Sequence, residues 1–363
     1  MSIWNLKPEK VVGIDISSTA VKLLELSQSG KKGYKVESYA IERLPEKSIE
    51  DKNIVPDKLE DVGTIISKVV KRAKPIAQHA AVAVAGPAVI TKTISMDGGM
   101  SDQEMKDQID EEPAQYLGQD NEEEISFDFQ VIGPNEKEPE RVDILLAACS
   151  TEILESRTTV LEMGGLKTKI VDIEKYALEN AFLMIAQNDP EINENETIAL
   201  IEIGATTTMM SVLGEQKIIY TNEEMFGGKQ LTETVQSNYE FNNYEEAEFA
   251  QRSGELGDEY EKVHLEPFKD EMAQQISRMV QYYYASEASS RYGKLSHILI
   301  AGGCASIPNI IEPINNKVGG HVTIVNPFAE MSIASRVRKK ALMDDAPALM
   351  TVCGLALRTF DEK

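Results

Sequence analysis

Two stretches far apart in this chain repeat one another without a gap. Val11-Val12-Gly13-Ile14-Asp15-Ile16-Ser17-Ser18-Thr19-Ala20-Val21 aligns on Ile198-Ala199-Leu200-Ile201-Glu202-Ile203-Gly204-Ala205-Thr206-Thr207-Thr208. Each copy is an apolar run, one acid, one apolar residue, a cluster of small and hydroxyl residues, then β-rich sequence up to Leu26 or Leu213. A continuous apolar run of this length marks a strand buried on both faces. Small residues directly after it build a tight hairpin whose backbone amides no bulky side chain covers. Such amides and hydroxyls can cradle a phosphate, and an acid at the strand end can hold a hydrated Mg²⁺ nearby. Either stretch alone is also what an ordinary strand–turn–strand unit looks like; the matching acids favour two related half-domains clamping a nucleotide between them.

At 363 residues the chain is long enough for two lobes, each with its own core. Sixty acidic residues against 37 basic ones leave a formal charge of −23, which argues against nucleic acid as a partner. Anionic lipid headgroups should be repelled as well, so membrane attachment is expected through a protein partner and not by direct insertion. No apolar run approaches the roughly 20 residues that span a bilayer. The start, Met1-Ser2-Ile3-Trp4-Asn5-Leu6-Lys7-Pro8, shows no signal-peptide core before the strand at Val11. Cys149, Cys304 and Cys353 sit far apart in apolar surroundings and read as core thiols, and the histidines offer no metal site.

The punctuation predicts the organisation. After the hairpin 11–26 come a strand near 34–43, a helix at 59–73 with apolar residues at helical spacing, and strands at 80–85 and 90–96. Ser101-Asp102-Gln103-Glu104 is a capping-box pattern opening a helix that Pro113 should end or kink within about three turns. The acidic run 102–124 passes through a Gly118–Asn121 loop to an alternating strand at 125–131, which pairs with a buried strand at 141–149. A helix at 151–163, a strand at 166–173 and a helix at 174–187 follow, and Asn188–Glu196 reads as a boundary. The second hairpin leads through 217–221 to Phe226-Gly227-Gly228-Lys229, then a mostly helical block with Tyr- and Met-rich core faces. A strand at 297–301 runs into Gly302-Gly303-Cys304-Ala305-Ser306-Ile307-Pro308, and a last helix covers 346–358.

The paired hairpins, the strand ending in Gly302-Gly303 and the closing Gly354-Leu355-Ala356 helix resemble the actin-like ATPase fold, an α/β architecture of two lobes around a nucleotide cleft. Within it, Gly13–Thr19, Ala83-Val84-Ala85-Gly86, Asp128–Gly133 and Leu145–Cys149 resemble the PilM family, FtsA-like cytoplasmic assembly proteins of bacterial type IV pili. The similarity runs over nearly the whole chain. It implies a first-lobe core of 1–83, 151–190 and 335–363, with an FtsA-like inserted subdomain at 84–150. It also implies a second-lobe core of 191–221 and 294–334, with a helical nucleotide-side subdomain at 222–293.

The same resemblance implies site roles. Ser17, Ser18 and Thr19 would wrap the β- and γ-phosphates of ATP from one side, and Gly204, Ala205, Thr206 and Thr207 from the other. Asp15 and Glu202 would face Mg²⁺ through waters. Lys22 either neutralises phosphate charge or is a solvated strand lysine. Gly302, Gly303 and Cys304, with Ile307 beyond, would let the backbone approach the nucleotide, since a Cβ at the glycines would fill ligand space. Gly227, Gly228 and Lys229 and the helix bearing Gln275 and Arg278 match the part that touches ribose and base, or are a capped helix and a surface arginine.

Two positions depart from the pattern. Relatives usually carry Asp where Glu202 stands, and the extra methylene moves the carboxylate by about 1.5 Å, which touches turnover more than binding. Gln251 stands where the family tends to have lysine near the base. The resemblance thus implies ATP binding with slow or no hydrolysis. It also implies a groove between first lobe and insertion for the N-terminal cytoplasmic peptide of PilN, with other pilus assembly proteins and a possible homo-oligomer as further partners. Three other readings stand beside the pilus scaffold: a self-polymerising FtsA- or MreB-like cytoskeletal ATPase, a sugar or acid kinase, and a scaffold without nucleotide. The end at Thr359–Lys363 carries no amphipathic membrane helix, and no further Asp motif suggests a kinase base.

Overall fold

Identical strand order in two separate sheets is the physical form of the repeat. A computed structural model describes residues 10–30, 33–86, 89–117, 124–188 and 196–361. The residues before Lys10, the Gly118–Asn121 loop and most of the Asn188–Glu196 boundary lie outside these. In the first sheet the order is Lys167–Ile173, His79–Val84, Val11–Ile16, Ala20–Ser29, Gly33–Arg43, with Ser332–Ile333 at the edge. In the second it is His321–Ile324, Leu295–Ala301, Thr197–Ile203, Thr208–Gly214, Lys217–Glu224. In both, the repeated strand pairs antiparallel with the strand that follows it and parallel with a later one. Val11–Ile16 is buried throughout, as its unbroken apolar run requires.

Two helices fill the space between the sheets. Glu174–Asn188 and Met350–Leu357 contribute Leu178, Phe182, Val352 and Cys353 to a single apolar cluster. Leu24 and Val36 of the first sheet and Ile198, Leu200 and Leu213 of the second join that cluster. The closing helix is therefore shared by both sheets. Pro347 divides the expected 346–358 helix, leaving 3₁₀ turns at Ala346–Leu349 and Arg358–Phe360 around an α-helical centre.

Glycine makes that packing possible. A Cβ on Gly13 would stand 2.5 Å from the Val352 carbonyl oxygen, and one on Gly354 would overlap the Ala177 carbonyl. The helix backbone lies directly on the strand on one side and on its neighbouring helix on the other.

The unit between the second and third strands of the first sheet's parallel half is a three-stranded antiparallel sheet. It consists of Ile90–Asp97, Arg141–Ser150 and Ile125–Pro134, with Arg141–Ser150 in the centre. Met105 and Ile109 of helix Asp102–Glu111 pack on Met96, Ile144 and Leu146. The Ser101 capping box forms as its sequence predicts, and the helix ends at Glu111 before Pro113 opens a short new one. The block after the second sheet is helical, and helix Glu266–Tyr284 buries Phe268, Met272, Ile276, Met279 and Tyr283. Among the described residues no helix is long and apolar enough to cross a membrane.

Candidate functional site

The two repeated turns meet. Ser18 Oγ lies 3.2 Å from Thr206 Oγ1, joining the turn after the first strand of one sheet to the turn after the first strand of the other. Each turn is closed by its own backbone. Ser17 donates both its amide and its hydroxyl to the Ala20 carbonyl, each at 3.0 Å, and Gly204 N donates to Thr207 O at 2.9 Å. Ser17, Ser18, Thr19 and the residues Gly204 to Thr207 all keep partial exposure.

The acids occupy matching places, each one residue before the end of its strand. Asp15 is buried and pairs with Lys22 at 2.9 Å, the two being direct cross-strand neighbours. Lys22 is not solvated: its side chain is 13% exposed, because the antiparallel register sets it directly across from Asp15. Burial alone would lower its pKa, but Asp15 and then Glu202 outweigh this and hold the ammonium above its ordinary value. Glu202 has a different environment. Burial first, and then the nearby Glu174 carboxylate, lift its pKa to about 7, with Lys22 and Lys52 opposing.

Three participants were not foreseen. Glu174 begins its helix immediately after strand Lys167–Ile173, one residue past the strand's end and not at the penultimate position that Asp15 and Glu202 share. Its charge is favoured at a helix N-terminus. Lys52 lies at the tip of a small hairpin formed by Ile49–Glu50 and Asn53–Ile54, with Asp51 and Lys52 both at positive φ. It reaches Glu174 at 3.1 Å and Glu223 of the second sheet at 2.9 Å. Arg157 is 2% exposed and donates to the carbonyls of Ile16 at 3.2 Å and Lys52 at 2.5 Å. Its Nε has no hydrogen-bond partner among the described residues. Nothing in local sequence distinguishes Lys52 or Arg157, since their partners are remote in the chain.

The loop 226–229 buttresses the second turn. Gly228 N donates to Gly204 O at 3.0 Å and Lys229 N to Ala205 O at 2.8 Å. A Cβ on Gly227 would come within 2.5 Å of the Ala205 carbonyl oxygen. The Lys229 side chain instead points along its helix toward Glu233. Cys304 is buried and its Sγ donates to Gly204 O at 3.3 Å; burial pushes the thiol up to about 12, so it stays protonated. The glycine at 302 is required by the protein itself: its Cβ would collide with the Ile203 backbone. Gly303 is exposed with open space where its Cβ would be. Ile307 packs half-buried against the second-sheet core.

Gln275 and Arg278 are not brought to the turns. They bond each other and line a separate groove with Glu271, Ser277, Gln281 and Lys317. Helix Glu266–Tyr284 turns its Met272–Ile276–Met279 face into the core, so these two positions fall on its outer side. Gln251 accepts from Thr232 Oγ1 at 2.9 Å.

Among the described residues no group of three or more His, Cys, Asp or Glu could cage a metal. Asp15 and Glu202 offer two carboxylates at matching strand ends, the kind of oxygen donor a hydrated Mg²⁺ can take together with phosphate oxygens.

A family profile described as type IV pilus assembly protein PilM matches residues 13–360. The structure is similar to that of a PilM–PilN type IV pilus biogenesis complex, with a TM-score of 0.77 at 19% identity over 98% of this chain and 100% of that one. It is also similar to the ethanolamine utilization protein EutJ from Carboxydothermus hydrogenoformans, with a TM-score of 0.56 at 18% identity over 97% and 90%. The chain has the actin-like ATPase fold, and it belongs to the PilM family of type IV pilus assembly proteins.

Proposed function

We propose that this chain is an ATP-binding scaffold of the type IV pilus inner-membrane assembly complex. In this reading it receives the N-terminal cytoplasmic segment of PilN, and nucleotide state is coupled to assembly. The observation that carries it is the Ser18–Thr206 contact, with Asp15, Lys22 and Glu202 gathered around it. Hydroxyls and small-residue amides from two lobes converge there, the arrangement that phosphate binding needs. Lys22 would place positive charge beside the phosphates, and Asp15 and Glu202 would hold Mg²⁺ through waters. When bound, Mg²⁺ neutralises phosphate charge. In the ligand-free chain burial and Glu174 raise the Glu202 carboxyl to about 7, so a bound cation beside it would favour its ionised form. The name of the similar complex supports PilN as the partner, and the insertion at 84–150 would form one wall of the peptide groove. The chain would then lie in the cytoplasm, held at the inner membrane through PilN.

Calorimetric titration of a PilN N-terminal peptide with and without Mg·ATP tests both halves. A tenfold affinity difference corresponds to about 1.4 kcal/mol of coupling. Equal affinities would remove the coupling, absence of heat would remove the partner, and failure of ATP itself to bind would remove the site.

A further inference from the structure

We infer that ion-pair straps close the cleft at both ends, and that the strap beside Cys304 sets the rate at which nucleotide enters and leaves. The inference rests on the nucleotide-binding reading above and concerns its control.

Arg43 ends strand Gly33–Arg43 of the first sheet, and it pairs with Glu248 in helix Tyr244–Ser253 of the opposite helical block. Arg252, one turn further along, takes the other oxygen of Glu248 at 3.1 Å. A second link runs parallel to the first. Glu46 accepts the Tyr244 amide at 3.0 Å, placing a carboxylate on the first turn of that helix.

The strap lies beside the second turn. Glu248 and Arg252 are close enough to act on the Cys304 thiol, which itself bonds the Gly204 carbonyl of the second turn. Arg43 and Cys304 both act on the Tyr244 hydroxyl. Alongside lies a groove of about 480 Å³ bordered by Ile41, Arg43, Pro45, Arg72 and Glu245. The other end of the cleft carries the matching device, Lys52 between Glu174 and Glu223. Arg43 of the first sheet is tied to the helical block that follows the second sheet, and the hairpin residue Lys52 to Glu223 of the second sheet, so parting the lobes breaks both links.

The energetics suit a gate more than a structural tie. Arg43 is 42% exposed, and a pair of that exposure contributes little to stability. Each lobe meanwhile keeps an apolar core of its own. Breaking the strap therefore leaves the fold intact while shifting the balance between closed and open clefts.

Stopped-flow kinetics with mant-ATP and the full chain test this. Glu248→Gln should raise both association and dissociation rates about threefold, with a smaller change in Kd. Added salt should speed release from the wild type and leave the variant unchanged. Arg43→Gln combined with Glu248→Gln should be no faster than Glu248→Gln alone. Unchanged rates, or additive single effects, would overturn the strap. If no form binds mant-ATP, the nucleotide reading fails, and the strap is judged separately by spin labels at Lys47→Cys and Glu255→Cys. The strap then requires a longer, broader interlobe distance in Glu248→Gln, and identical distributions would overturn it.

Discussion

Glu202 is a testable liability in the ligand-free protein. Its carboxyl titrates near 7 in the folded chain against an ordinary value of 4.5. At 1.36 kcal/mol per unit this is about 3 kcal/mol of unfavourable charge burial, reduced to about 2 kcal/mol because the residue keeps some solvent access. Below pH 4.5 the folded and unfolded chains both hold the proton, and nothing is lost. Between 4.5 and 7 the folded chain retains a proton that the unfolded chain has released, so stability falls as pH rises. Above 7 the full penalty is present. Glu202→Gln removes the charge and keeps the shape. Urea denaturation at pH 5, 6, 7 and 8 should show the variant gaining about 2 kcal/mol on the wild type at pH 8 and converging with it near pH 5. A variant less stable at pH 8, or a wild-type stability flat from 5 to 8 once other groups are subtracted by the comparison, would refute the reasoning.

Lys22→Met leaves Asp15 buried without its cation, and urea unfolding at pH 7 should register a loss of about 3 kcal/mol. Gly354→Ala drives a methyl into the Ala177 carbonyl and should cost about 3 kcal/mol, whereas Gly303→Ala meets open space and should stay within about 0.5 kcal/mol. Thermal melts of the two variants give the comparison. Cys304, with its thiol held at about 12, should resist iodoacetamide at pH 8 until urea unfolds the chain, read by mass spectrometry.

The repeat was legible because burial on both faces demands an unbroken apolar run, and a tight turn demands small residues. Those demands are local, so Val11–Ile16 and Thr197–Ile203, their strand-end acids and the Ser101 capping box could be read directly. Other features depend on which surfaces meet. The periodicity of Glu266–Tyr284 announces a helix, but only its docking shows that Gln275 and Arg278 sit on its outer side, lining a groove without the turn residues. Lys22 was open between two roles until the cross-strand register placed it on Asp15. Gly302 is glycine because a neighbouring strand passes close, which no single segment reveals. Glu174, Lys52 and Arg157 converge from separate elements, and their charges matter through distances that only the folded backbone sets. Sequence alone thus determined the two turns and their strand-end acids, through local steric and solvation requirements. Tertiary structure decided that the turns meet at Ser18 and Thr206 and which remote charges surround them, because electrostatic interaction follows distance in space and not along the chain.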